Sequence, residues 1–160
     1  MDKFSKFLEE KLMPIGQKIN NIRFLQVIRM AMMPLIPFII AGSFTLIVLN
    51  FPFIDKVLPA GFLEMLGNVL SPLSGTTLSL VAMFLAFLMG YNYAKTEEQK
   101  CEEVYAGITT LVAFLIVSPL SITVGEEVIG GVIPTTYMGS QGMFVALILC
   151  YLVAKVYCKI

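Results

Sequence analysis

Residues 30–50 read MAMMPLIPFIIAGSFTLIVLN, an uncharged run entered from Arg29. As a helix rising about 1.5 Å per residue it reaches about 30 Å, the thickness of a bilayer's hydrocarbon core. The stretch is therefore predicted to be a transmembrane helix. Its small and aliphatic residues would also suit a buried soluble helix, but three more apolar segments follow. A chain of 160 residues is too short to bury four such helices inside itself.

The composition points the same way: 58% of residues are hydrophobic and 14% charged. Soluble domains average about 25% charged residues, and the mean hydropathy here is +0.85. The formal net charge is zero, so there is no electrostatic case for nucleic-acid binding. No histidine occurs, which removes the commonest general base and metal ligand. Neither a catalytic site nor a metal or cofactor site is expected. Cys101, Cys150 and Cys158 show no CxxC spacing and read as free thiols. The acidic opening MDKFSKFLEE does not read as a signal peptide.

In Asp2 to Ile19, Phe4, Phe7, Leu8, Leu12, Ile15 and Ile19 recur at three- and four-residue steps. This predicts an amphipathic helix over 2–19, lying on the membrane surface or against the bundle, or packed on a partner protein. Asn20 to Arg29 reads as a polar hinge. The first span, about 30–50, holds Pro34 and Pro37 in its early turns, which favours a kink. Phe51 to Leu73 is broken by Pro52, Asp55, Lys56, Pro59, Glu64, Asn68 and Pro72. It is expected to be an external loop with a short interfacial helix near Gly61 to Leu70; a re-entrant segment is the alternative.

Further spans are predicted at about 76–94, 104–118 and 140–157. In the second, Ala82, Ala86, Gly90 and Ala94 fall at strict four-residue intervals. In the fourth, Gly142, Ala146, Cys150, Ala154 and Cys158 do the same. Such ridges let another backbone approach closely, so both helices are expected to use them in tight contacts, with each other or with another subunit. Cys150 then serves as a small residue in a helix contact. The fold class is an all-α, polytopic membrane helical bundle of about four transmembrane helices plus the surface helix.

No Walker A, GxGxxG, HExxH or GxSxG sequence is present. The pairs Glu97/Glu98, Glu102/Glu103 and Glu126/Glu127 fall in predicted aqueous loops and read as hydrated charge. No firmly buried charge marks an ion path within the spans.

The segments MDKFSKFLEEKLMPIGQKI (1–19), IRMAMMPLIPFIIAGSFTLIV (28–48) and IPTTYMGSQGMFVALILCYLVAKVY (133–157) together resemble the N-terminal part of enzyme IIC. This is the sugar permease of the bacterial phosphotransferase system, in its lactose/cellobiose/diacetylchitobiose branch. The resemblance covers essentially the whole chain. It implies a homodimeric inner-membrane transporter that moves a disaccharide such as cellobiose or a related sugar. Sugar phosphorylation would be carried out by a cytoplasmic IIB partner, served by IIA, so the chain itself is expected to be a transporter subunit and not an enzyme.

Members of the family are much longer, and their sugar-contacting histidine and glutamate belong to the later half. The resemblance therefore implies that residues 1–160 form the scaffold and dimerisation part of a permease, a truncated, split or partial chain, with the substrate-binding residues elsewhere and unknown. The alternatives are a small self-sufficient membrane adaptor or modulator that dimerises with a full-length permease, and an oligomeric small channel. Arg29 either snorkels to lipid headgroups or meets the IIB partner.

Lys3, Lys6, Lys11, Lys18, Arg23 and Arg29 precede the first span, Lys95 and Lys100 lie in the middle loop, and Lys155 and Lys159 near the C-terminal end. The two other connections hold only Lys56. The positive-inside rule then puts both termini and the middle loop in the cytoplasm, with four crossings. An impermeant maleimide added to intact cells should leave Cys101 unlabelled; labelling from outside would refute this topology.

Overall fold

The computed structural model describes residues 21–51, 59–96, 101–124 and 127–160. The predicted surface helix over 2–19 lies outside the described residues. The first long segment comprises α1 (Arg23–Met32), a 3-10 turn (Met33–Leu35) and α2 (Ile36–Leu49). The expected hinge over 20–29 is thus largely helix. The reason is a stripe at four-residue spacing: Val27, Ala31 and Leu35 are all buried on one face. The prolines leave a local signature without breaking the segment, which runs from Arg23 to Leu49 as 27 residues. Pro34 sits in the 3-10 turn, and Pro37 in the first turn of α2, where its missing N–H has no helical acceptor to satisfy. At the far end the Asn50 side-chain amide donates to the Leu46 carbonyl at 2.9 Å.

The largest departure from expectation is α3, Ala60–Leu78. From residue 60 onward the expected external loop with a short helix near 61–70 is replaced by a 19-residue helix, while residues 52–58 lie outside the described residues. Its interruptions are harmless because Glu64, Asn68, Ser71 and Pro72 all point to exposed positions. Hydroxyls near Pro72 bond to the local backbone: Thr76 Oγ1 donates to the Pro72 carbonyl at 2.9 Å and Thr77 Oγ1 to that of Leu73 at 2.7 Å. After a break at Ser79 and Leu80 the chain turns by 40° into α4, Val81–Thr96. The span expected at 76–94 is corrected accordingly, since residues 76–78 belong to the preceding helix.

Helix α5 covers Glu103–Val117 and stops before Ser118-Pro119, where proline disfavours a further helical residue. The connection that follows holds an antiparallel hairpin, β1 (Ser121–Val124) with β2 (Glu127–Gly130), in a register that pairs Ser121 with Gly130. Gly131 closes its base: its N–H donates to the Leu120 carbonyl, 2.9 Å away, and its φ of 76° turns the chain out of the hairpin in a conformation that favours glycine. A single turn, α6 (Thr135–Met138), and a 3-10 turn (Ser140–Gly142) lead into α7, Met143–Tyr157. Among the described residues, all regular structure apart from this small hairpin is helical.

Helix α4 is the axis of the bundle. It packs on α5, α7 and α1, while α2 and α3 pair separately. Val81, Ala82, Leu85, Ala86, Met89, Gly90, Asn92, Tyr93 and Ala94 are all buried. Burial on so many sides fits an interior helix, whereas Ile40, Phe44 and Ile47 of α2 face outward, as lipid-facing residues do.

Gly90 gives the packing its clearest test. A Cβ there would collide with Thr110 Oγ1 and the Ala106 carbonyl of α5, whereas one on Gly67 in α3 would meet nothing within 4 Å. Gly90→Leu should cost about 3 kcal/mol or more by overpacking. Gly67→Ala should be neutral or stabilising by about 0.5 kcal/mol. Thermal unfolding in detergent reads both, and equal melting for Gly90→Leu and the parent would refute the contact.

Candidate functional site

The expected ridges are both buried, and the structure shows what covers them. Ala82, Ala86 and Ala94 of α4 are at most 2% exposed, and Gly90 is buried too. The ladder of α7 behaves alike: Ala146, Cys150 and Ala154 are fully buried, with Gly142 and Cys158 also buried. Their partners lie within this chain. Gly90 faces α5, and a Cβ on Gly142 would strike the Tyr137 carbonyl and come within 3.3 Å of Ala82 Cβ. Small residues let these backbones approach, and in lipid such packing replaces the hydrophobic drive that water would supply.

Thr110 is where three helices meet. It is fully buried, and its hydroxyl can donate to the Ala86 carbonyl of α4, or to those of Gly107 and Ala106 in α5, at 2.9, 2.9 and 3.1 Å. The Thr110 carbonyl in turn receives Cys150 Sγ of α7 at 3.6 Å. Cys150 is therefore the small contact residue its spacing suggested. Asn92 of α4, also buried, donates within its own helix to the Leu88 carbonyl at 2.8 Å.

A second cluster, which no sequence signal singled out, ties α1 to this seam. The Arg23 guanidinium carbon lies 4.8 Å from the centroid of the Tyr93 ring. Tyr93 meets Tyr151 edge-on at 5.3 Å, and Tyr151 meets Phe24 edge-on at 4.7 Å. These geometries suit cation–π and T-shaped aromatic attraction. Arg23 read only as a loop charge because its partners lie 70 and more residues downstream.

The cysteine reading needs one correction. Cys101 and Cys158 are bonded to each other, with Cα atoms 5.3 Å apart, and are not free thiols. Their separation of 57 residues hid the pairing, because only the return of α7 along α5 brings them together. Of the glutamate pairs, Glu102 is exposed and Glu103 opens α5; Glu97, Glu98 and Glu126 lie outside the described residues. Arg29 is exposed on α1. Among the described residues there is no group of three His, Cys, Asp or Glu side chains arranged to hold a metal ion.

A buried seam of small residues, apolar outer faces and two helical segments long and apolar enough to cross a bilayer define an integral membrane helical protein. The "Phosphotransferase system, EIIC" family profile matches residues 29–160, and the chain belongs to that family. It is 34% identical over 160 residues to the oligo-beta-mannoside-specific EIIC component of Bacillus subtilis (strain 168), covering 99% of this chain and 35% of that one. Identity is also 34% over 169 residues with the cellobiose-specific EIIC component of Geobacillus stearothermophilus, covering 100% of this chain and 37% of the relative. The crystal structure of the transporter ChbC, the IIC component of the N,N'-diacetylchitobiose-specific phosphotransferase system, superposes with a TM-score of 0.77 at 28% identity. The match takes in 94% of this chain and 36% of ChbC, so the chain spans little more than a third of these proteins.

Thr110→Val deletes the hydroxyl while keeping most of the volume. Ala86 O retains its own helical donor, so the expected loss is about 1 kcal/mol, seen as a modest drop in detergent melting temperature. No change would show that the hydroxyl merely satisfies itself within α5.

Proposed function

We propose that this chain is the helical scaffold part of a phosphotransferase-system sugar permease, and that residues 1–160 hold no complete sugar site. The match of its whole helical arrangement to ChbC, at a TM-score of 0.77, is the observation that carries this reading. The names of the relatives point to β-linked oligosaccharides such as cellobiose as the class of cargo. The described interior supports a scaffold role: buried polar groups such as Thr110, Asn92 and Ser118 bond to backbone carbonyls and leave no open cluster for a sugar's many hydroxyls.

In this reading the permease moves the sugar across the cytoplasmic membrane as a homodimer, and the phosphoryl group comes from the IIB component, itself supplied by IIA. The chain is a transporter component and not the phosphorylating enzyme. Lysine placement supports cytoplasmic termini and four crossings: α1–α2, the α4, α5 and α7 helices, with α3 extending α4 beyond the bend. Arg29, exposed in the last turn of α1 six residues in from the cytoplasmic end, would reach back to the headgroups by snorkelling.

Titration calorimetry of the purified 160-residue chain with cellobiose should give no detectable binding. Clear saturable binding would place the sugar site within these residues and overturn the proposal.

A further inference from the structure

Cys101 precedes α5, and Cys158 caps the last turn of α7; their bond joins the α4–α5 connection to the end of the final helix. The exposed Lys95, Lys155 and Lys159 belong to the same end of the bundle. Lysines of this kind face the cytoplasm, an orientation that rests on the reading given under Proposed function. In a reducing compartment disulfides are rare, and those that form are usually transient, catalytic or redox-sensing. A bond between two cysteines that the fold itself brings together, at this end of the molecule, thus fits a reversible bond better than a permanent staple.

We propose that Cys101 and Cys158 form a reversible redox site that exchanges with low-molecular-weight thiols and disulfides of the glutathione class. Oxidation fastens the α4–α5 connection to the end of α7, and reduction releases it. The two sulfurs are unequally placed: Cys101 is half-buried, whereas Cys158 is 8% exposed. Small molecules therefore meet Cys101 first. Its thiolate attacks one sulfur of glutathione disulfide and expels one glutathione thiolate, leaving a mixed disulfide. The Cys158 thiolate then attacks the Cys101 sulfur and expels the second. Two protein thiols and one glutathione disulfide become one protein disulfide and two glutathione molecules, which take up the two protons. Cys150, fully buried between α5 and α7, takes no part.

The test uses the full chain in sealed vesicles of known sidedness, with impermeant glutathione buffers and a maleimide mass tag added after denaturation. In inverted vesicles, raising reduced over oxidised glutathione should convert Cys101 and Cys158 from untagged to doubly tagged, and the reverse should restore the bond. Right-side-out vesicles should not respond. Orientation is read separately by labelling K95C in a C101S/C158S/C150S background. If K95C faces outward, the orientation fails and the pair is an ordinary external disulfide. If K95C faces inward but the pair stays oxidised, or stays reduced, across the whole buffer range, the redox proposal fails on its own. The oxidised chain should also melt several degrees above the reduced one, with C101S/C158S insensitive; equal melting would overturn the fastening role.

Discussion

The architecture depends on how closely the backbone of α4 approaches α5 at Gly90. In lipid, helices gain little from burying apolar surface, since the tails outside are as apolar as the core, and association rests on close packing and a few polar bonds. The absence of a side chain at Gly90 lets Thr110 and the Ala106 carbonyl occupy the space beside it. From that contact Thr110 reaches the Ala86 carbonyl on one side, and Cys150 of α7 reaches Thr110 on the other. Three helices are thereby held by atoms within a few ångströms of one another. Gly107 extends the same logic along α5, where the Phe87 ring covers the position a Cβ would take, at 2.8 Å.

The interruptions in the helices are arranged around this seam. Pro34 tightens one turn before α2, and Gly42 then lets α2 meet Thr77 and Leu78 at the end of α3. The bend at Ser79 and Leu80 lies next to the break at Gly139, where an added Cβ would stand 3.4 Å from the Leu78 carbonyl. Two breaks in the helical backbone therefore adjoin. Exposed irregular backbone is costly in a membrane, so the placement of breaks against neighbouring protein follows from the solvent as much as from the fold.

Much was legible in the residue order because it followed from period and solvent. Residues 30–50 declare a span by length and lack of charge, and the four-residue ladders of α4 and α7 declare a packing face, since that spacing returns a side chain to the same side of a helix. The end of α5 was legible from Ser118-Pro119. Other features misled for local reasons. The prolines and charges of 51–73 suggested a loop, yet Glu64 and Pro72 sit on exposed positions of α3, where a helix tolerates them. Residues 20–29 looked like a hinge because Arg23 and Gln26 dilute the apolar stripe.

The sequence by itself determined that the chain is a helical membrane protein, which helices present small residues, and which family it resembles. These depend on hydropathy, period and ordered motifs. Only the tertiary structure decided that Gly90 meets α5, that Arg23 lies over Tyr93, that α3 runs on past Pro72, and that Cys101 bonds to Cys158. Each of these joins residues far apart in the chain or turns on which face meets a neighbour. No local pattern encodes that, because a ladder or an arginine carries no record of what it will face until the helices return past one another.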